Sequence, residues 1–168
     1  MAGSLDGASS VLLPLYTGSI FWTLIYDTIY AHQDKVDDVG AGIKSTALLF
    51  GDYTRPILST FSIAMVTLLG TAVKNLDAAY PHLLNLGSTS WSEFLTTAHP
   101  FFTASLGMSA LHLMWQIWTV NLENRADCWS KFRSNTVLGA ILWAGLALDY
   151  AVQKSWTEEE TTQNLIVQ

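Results

Sequence analysis

Apolar positions fall in four long blocks, residues 11–33, 56–73, 100–120 and 136–152, and polar or charged segments separate them. Blocks of this length predict helices that cross a bilayer or nearly so, because about 20 residues at a 1.5 Å rise span the hydrocarbon layer. The first connection, 34–55, is charged. The second is longer and polar, with Pro81, Gly87 and clusters of Ser and Thr, and the third, 121–135, is charged again. The expected architecture is all-α, a transmembrane bundle of about four helices in one domain over 11–153. A short lead, 1–10, precedes it, and a polar tail, 154–168, carrying Glu158, Glu159 and Glu160, is expected to fray.

Composition agrees with a chain embedded in the lipid bilayer. Hydrophobic residues make up 50% and charged residues only 13%, against about 25% charged in ordinary soluble domains. The net charge of −6 argues against nucleic acid as a partner, and the lone Cys128 excludes an intrachain disulfide. Four successive crossings put connections 34–55 and 121–135 on one side of the membrane. Lys35, Lys44, Arg55, Arg125, Lys131 and Arg133 then fall on that side, against Lys74 and Lys154 on the other. Such asymmetry predicts that the charged loops face the cytoplasm or the mitochondrial matrix. Residues 1–10 have neither a basic n-region nor an Arg-rich, acid-poor character, so no targeting segment is expected there.

The run from Tyr26 to Asp38 changes the picture, because it drives Asp27, Asp34, Asp37 and Asp38 into the end of an apolar block. Charge at that depth is costly and usually functional. On a continuous helix the seven-residue step from Asp27 to Asp34 nearly closes two turns at about 100° per residue, and Asp38 follows one turn on. Asp27, Asp34 and Asp38 would then share one face. Like charges on one stripe repel unless a hard divalent cation or basic groups sit among them, and Mg²⁺ is the natural candidate. The plainer alternative is a solvated helix end balanced by Lys35 and Lys44.

Directly after the aspartates, Gly40, Gly42, Lys44, Ser45 and Thr46 form a glycine-punctuated turn with a cation and two hydroxyls. Glycines allow close approach of backbone amides, and a following helix would aim its N-terminus at an anion. A helix C-cap with a solvated lysine is the alternative. Carboxylates, Mg²⁺ and a nearby cation together are what diphosphate binding requires, since the metal bridges two anions.

The residues Tyr26-Asp27-Thr28-Ile29-Tyr30-Ala31, Asp34, Asp37-Asp38, Gly42-Ile43-Lys44-Ser45-Thr46-Ala47 and Phe50-Gly51 closely resemble the second aspartate-rich motif of the UbiA superfamily of intramembrane prenyltransferases. The likeness is strongest to its 4-hydroxybenzoate polyprenyltransferase branch. Gln116-Ile117-Trp118, Asp127-Cys128, Lys131-Phe132, Asn135 and Gly139 resemble the loop and last helix of that branch. The resemblance implies a helical membrane enzyme that uses Mg²⁺ to join a polyprenyl diphosphate, geranyl, farnesyl or longer, to an aromatic acceptor. The acceptor would be 4-hydroxybenzoate, as in ubiquinone biosynthesis, or a polyketide-derived phenolic acid of a meroterpenoid pathway. By the same resemblance, Asp34 and Asp38 match the metal-binding pair, with Asp37 as a further metal ligand and Asp27 as a further catalytic carboxylate. Lys35 and Lys44 match positions that steady the diphosphate. Family members carry an earlier Asn-Asp-x-x-Asp-x-x-x-Asp motif and about twice as many spans, so this chain resembles their C-terminal half. A missing N-terminal half or a full-length homologue is therefore an expected partner, in the mitochondrial inner membrane or one of the endoplasmic-reticulum type.

Trp22, Tyr26 and Tyr30 precede the aspartates at helical spacing and would shield a carbocation with their π faces; packing and interface anchoring is the alternative. His32, His82, His99 and His112 lack ligand spacing, although His32 stands close enough in sequence to approach an acceptor. Cys128 reads as a small buried thiol, and Lys131 and Arg133 as topology signals or contacts to an anionic acceptor. Two other classes remain open: a catalytically silent membrane subunit or half of a split enzyme, and a cation-conducting protein. The lysine and glycine turn suits diphosphate better than conduction.

Overall fold

The computed structural model describes residues 3–79 and 90–166, with side chains placed over 7–79 and 90–155. His82, Pro81 and Gly87 lie outside the described residues. Among the described residues all regular structure is helical: α1 (Gly3–Ala31), α2 (Lys35–Ala41), α3 (Thr46–Phe50), α4 (Thr54–Ala79), α5 (Pro100–Thr119) and α6 (Arg125–Ile166). A tight turn, Gly51–Tyr53, leads into α4, and a helical turn, Trp91–Glu93, runs into a π-helical turn, Phe94–Ala98, ahead of α5. Helix extends into the expected lead from Gly3, and the expected frayed tail continues α6 to Ile166.

The four long helices close a ring in which α1 packs along α4, α4 along α5, α5 along α6, and α6 back against α1. Ile25 and Ile29 of α1, Leu58 and Met65 of α4, Phe102, Leu113 and Ile117 of α5, and Leu138 of α6 meet in its core. Outward-facing residues are also large and apolar: Leu13 is 66% exposed, Ile63 70% and Trp143 73%. A soluble bundle would place polar groups there, so this surface suits lipid.

Three helical stretches are long and apolar enough to cross a membrane: Gly7–Ala31, Thr46–Ala79 and Arg125–Ser155. The fourth expected span, α5, is a full member of the ring but falls short in apolarity. The cause is its inner face, where Ser105, Ser109 and Gln116 are all buried. Pro14 inside α1 leaves one backbone acceptor to be satisfied from a neighbouring helix. Proline has no N–H for the Ser10 carbonyl one turn back, and Asn75 Nδ2 of α4 donates to that oxygen at 2.8 Å instead.

Candidate active site

The two charged connections meet at one end of the bundle. Arg55, at the start of α4, donates through Nη2 to the Val120 carbonyl just past α5 at 2.9 Å, and Arg125, at the start of α6, pairs with Asp37 of α2. Connections 34–55 and 121–135 therefore share one end of the bundle.

The aspartates do not lie on one continuous helix. After Ala31 the amides of His32, Gln33 and Asp34 bond three residues back, to the carbonyls of Ile29, Tyr30 and Ala31, at 3.3, 2.9 and 3.2 Å. This tightening ends α1, and the helical phase that would have linked Asp27 to Asp34 is lost over the turn. Buried His32 anchors the turn. Its Nε2 lies 3.3 Å from Thr54 Oγ1, which itself donates to the Gly51 carbonyl at 2.7 Å. With Thr54 Oγ1 acting as donor to Gly51, Nε2 is the protonated nitrogen of His32. Burial, and then the nearby Lys35 ammonium, hold this imidazole below its ordinary pKa, while Glu123 acts the other way.

Asp34 caps the start of α2, and the Asp38 amide donates to the Asp34 carbonyl at 2.8 Å. Asp34 and Asp38 thus remain one turn apart at the same end of a short helix, where its dipole favours negative charge. Asp34 is exposed and Asp38 half-buried. Neither carboxylate accepts a protein hydrogen bond among the described residues. Asp37 is committed to Arg125, and the Asp34 charge also acts on that guanidinium. Asp27 stays exposed on the last turn of α1, apart from the α2 group.

Two uncommitted carboxylates fit a hard divalent cation in donor chemistry, since Mg²⁺ takes oxygen ligands and is commonly held by one or two carboxylates plus substrate phosphates. Among the described residues no three His, Cys, Asp or Glu side chains gather closely enough to close around a metal by themselves. The fit is that of a partial ligand set.

The two lysines sit in different places. Half-buried Lys35 lines a polar cavity of about 260 Å³ with His32, Asp52, Thr54, Arg55 and Glu123. Exposed Lys44 lines a separate open cavity of about 410 Å³ with Ser45 and Thr46. Gly42 adopts φ +69°, and the amides of Gly42 and Ile43 close on the carbonyls of Val39 and Asp38, so the glycine turn is the C-cap of α2. The next helix, α3, is only five residues long.

Tyr26 and Tyr30 stand one turn apart on α1 and are joined by α6. Tyr30 lies 4.9 Å from the Phe132 ring and 6.0 Å from Trp129, and Tyr26 lies 5.7 Å from Phe132. Trp22 continues the series, 6.4 Å from Tyr26 and edge-on to it. These rings form a ladder between α1 and α6 that climbs from the aspartate end into the bundle. The sequence reading named only the α1 side. The three-residue spacing of Trp129 and Phe132 was the available signal for the other.

Sequence reasoning also missed a buried polar group at the opposite end of the bundle. Asp77 of α4, His99 just before α5, and Asp149 of α6 are 1%, 3% and 3% exposed. His99 Nε2 donates to Asp77 at 2.9 Å, and Asp149 accepts the Phe101 and Phe102 amides at 3.1 and 2.7 Å. Ionisable residues inside or beside apolar blocks were the signal that could have found them. Of the other histidines, His112 contacts Ser134 Oγ at 3.1 Å. Lys131 Nζ sits 3.7 Å from the Trp115 ring centroid, and Cys128 is fully buried.

The fold and this end of it define a helical bundle with a lipid-suited surface, an Asp34 and Asp38 pair at the head of α2 and an aromatic ladder between α1 and α6. Residues 1–145 match the UbiA prenyltransferase family, and the chain belongs to that family. It is 44% identical over 159 residues to the mitochondrial 4-hydroxybenzoate polyprenyltransferase of Homo sapiens, covering 95% of this chain and 36% of that protein. The UbiA prenyltransferase claS of Ampulloclitocybe clavipes is 43% identical over 145 residues, 85% of this chain and 39% of that one. The mitochondrial 4-hydroxybenzoate polyprenyltransferase of Caenorhabditis elegans is 40% identical over 141 residues, 84% of this chain and 34% of that protein. The chain thus spans between a third and two fifths of the length of these relatives. No solved structure matches it.

Proposed function

We propose that this chain forms part of the site of an aromatic prenyltransferase, moving a prenyl group from a polyprenyl diphosphate to a phenolic acceptor. The observation that carries this reading is the uncommitted Asp34 and Asp38 pair at the head of α2, with Lys35 between them in sequence and the aromatic ladder alongside. The relatives' names support the acceptor class: 4-hydroxybenzoate, or a related phenolic acid.

Asp34 and Asp38 would hold Mg²⁺, which when bound supplies positive charge that neutralises the diphosphate and eases its departure. Asp37 acts through Arg125, keeping a guanidinium beside the same anion. Lys35 and Lys44 meet diphosphate oxygens from two sides, as charge-assisted donors. As the bond between the allylic carbon and the diphosphate oxygen breaks, Tyr26 and Tyr30 turn π faces toward the growing positive charge. Asp27, one turn before the end of α1, stands where a carboxylate can orient the acceptor hydroxyl. The aromatic carbon beside that hydroxyl attacks, and the ring then gives up its proton to the released diphosphate. The site belongs at a membrane surface, with the mitochondrial relatives favouring the inner mitochondrial membrane and charged loops facing the matrix, ahead of an endoplasmic-reticulum-type membrane and the cytoplasm.

The test is formation of prenylated 4-hydroxybenzoate by membranes containing this chain, supplied with geranyl or farnesyl diphosphate and Mg²⁺ and read by mass spectrometry. Product that disappears with chelator and in Asp34→Asn and Asp38→Asn supports the reading; wild-type turnover in either variant overturns it. A second reading, a silent subunit or half of a split enzyme, is favoured by the absence of a closed ligand group among the described residues. It expects co-purification with a homologous chain and no turnover alone.

A further inference from the structure

The upper end of the aromatic ladder is held by a polar contact in an apolar setting. Trp22 Nε1 donates to Asn135 Oδ1 of α6 at 2.9 Å, and Asn135 is only 9% exposed. A buried amide is costly unless its hydrogen bonds are made, and here they are. The Asn135 Nδ2 group donates to the Phe132 carbonyl at 3.0 Å and to the Lys131 carbonyl at 3.3 Å. Those two bonds use the amide nitrogen on its own helix, so Oδ1 is the atom left to face α1, and the orientation of the side chain is fixed by the network. Beneath the indole lies Gly139, where a Cβ would come within 3.3 Å of Trp22 Cη2. The indole is therefore held at its nitrogen by Asn135 and at its far edge by the bare backbone of Gly139.

Trp22 stands 12 residues before Asp34, eight of them helical positions back from Tyr30. At 1.5 Å per residue it lies on the order of 12 Å further along α1 than Tyr30. A donor anchored by its diphosphate at the aspartate end meets Tyr30 and Tyr26 with its first carbons and reaches Trp22 only with its distal units. From this we infer that Asn135 and Gly139 are positioning residues that set the prenyl-chain length the site accepts, by fixing Trp22 as the wall met by the far end of a long donor. The inference rests on the prenyl-donor reading above.

The experiment measures binding of two unreactive donors, geranyl and geranylgeranyl thiodiphosphate, to the purified full chain in detergent with Mg²⁺. The variants are Asn135→Leu, which keeps the side chain's branching and removes the acceptor, and Gly139→Val, which pushes on the far edge of the indole and leaves the acceptor in place. Loss of an aromatic contact to the distal units of the donor corresponds, at the upper end for such contacts, to about a tenfold loss. Both variants are expected to weaken geranylgeranyl thiodiphosphate about tenfold while holding geranyl thiodiphosphate within twofold. Equal weakening of both donors, or no weakening of either, would show that the contact only joins α1 to α6 and would overturn the inference while leaving the donor reading intact. Failure of the unmodified chain to bind either donor would overturn the donor reading and this inference together.

Discussion

Replacing His99 with leucine removes the one imidazole shared by two buried carboxylates. Asp77 and Asp149 come from α4 and α6, and His99 stands at the head of α5, so the substitution acts where three of the four ring helices converge. All three residues are at most 3% exposed, and water cannot step in as the replacement partner. Removing the imidazole that hydrogen-bonds a buried carboxylate costs about 3 kcal/mol, the upper range for a hydrogen bond to a charged group. For a chain of this size each kcal/mol moves Tm by about 2–4 °C, so His99→Leu is expected to lower Tm by roughly 10 °C. The assay is thermal unfolding in detergent followed by light scattering and intrinsic fluorescence. A second variant, Asp77→Leu with His99→Leu, removes the carboxylate as well and should recover part of the loss, since apolar replacement of a buried pair is often neutral. Asp149 keeps the Phe101 and Phe102 amides in both variants, and those amides should stay protected from hydrogen exchange. A fall in Tm below about 3 °C in the single variant, or strictly additive losses in the double, would refute the reasoning.

The remaining predictions concern the opposite end of the bundle. Asp34→Asn and Asp38→Asn should each abolish Mg²⁺-dependent prenyl transfer and leave Tm unchanged, because neither carboxylate takes part in a protein hydrogen bond among the described residues; a large Tm shift would recast them as structural. Lys44→Ala should raise KM for the diphosphate donor with little change in kcat and no change in Tm, given its exposure on the far side of the α2 cap. Arg125→Ala breaks an ion pair whose two side chains are 62% and 67% exposed, so thermal unfolding should show no measurable change. Cys128, 0% exposed, should resist maleimide in the folded chain and react once denatured; rapid labelling of the native chain would contradict its placement.

The helical blocks were legible because apolar runs of bilayer length leave few alternatives, and the Asp34–Asp38 pair because a four-residue step stays within one short helix. What could not be read locally depended on contacts made from a distance. Asp27 parts from Asp34 at a turn tied down by Thr54, 22 positions beyond His32, and no periodicity within 27–38 records that contact. Asp37 reads in the sequence as a further metal ligand, and its ion pair with Arg125, 88 positions later, leaves no local trace there. Trp22, Tyr26 and Tyr30 announced an aromatic stripe at a spacing of four, yet whether it faced lipid or a second helix depended on Phe132 and Asn135 arriving at the same height on α6. Of the Asp77, His99 and Asp149 group only Asp149 stands inside an apolar block, while Asp77 and His99 fall in the polar connection between blocks. The meaning of the group required knowing that the end of α4, the head of α5 and the later part of α6 converge. Polar groups in a membrane bundle are costly enough to be few, so each one found inside an apolar block marks a contact that the fold has to complete from elsewhere in the chain.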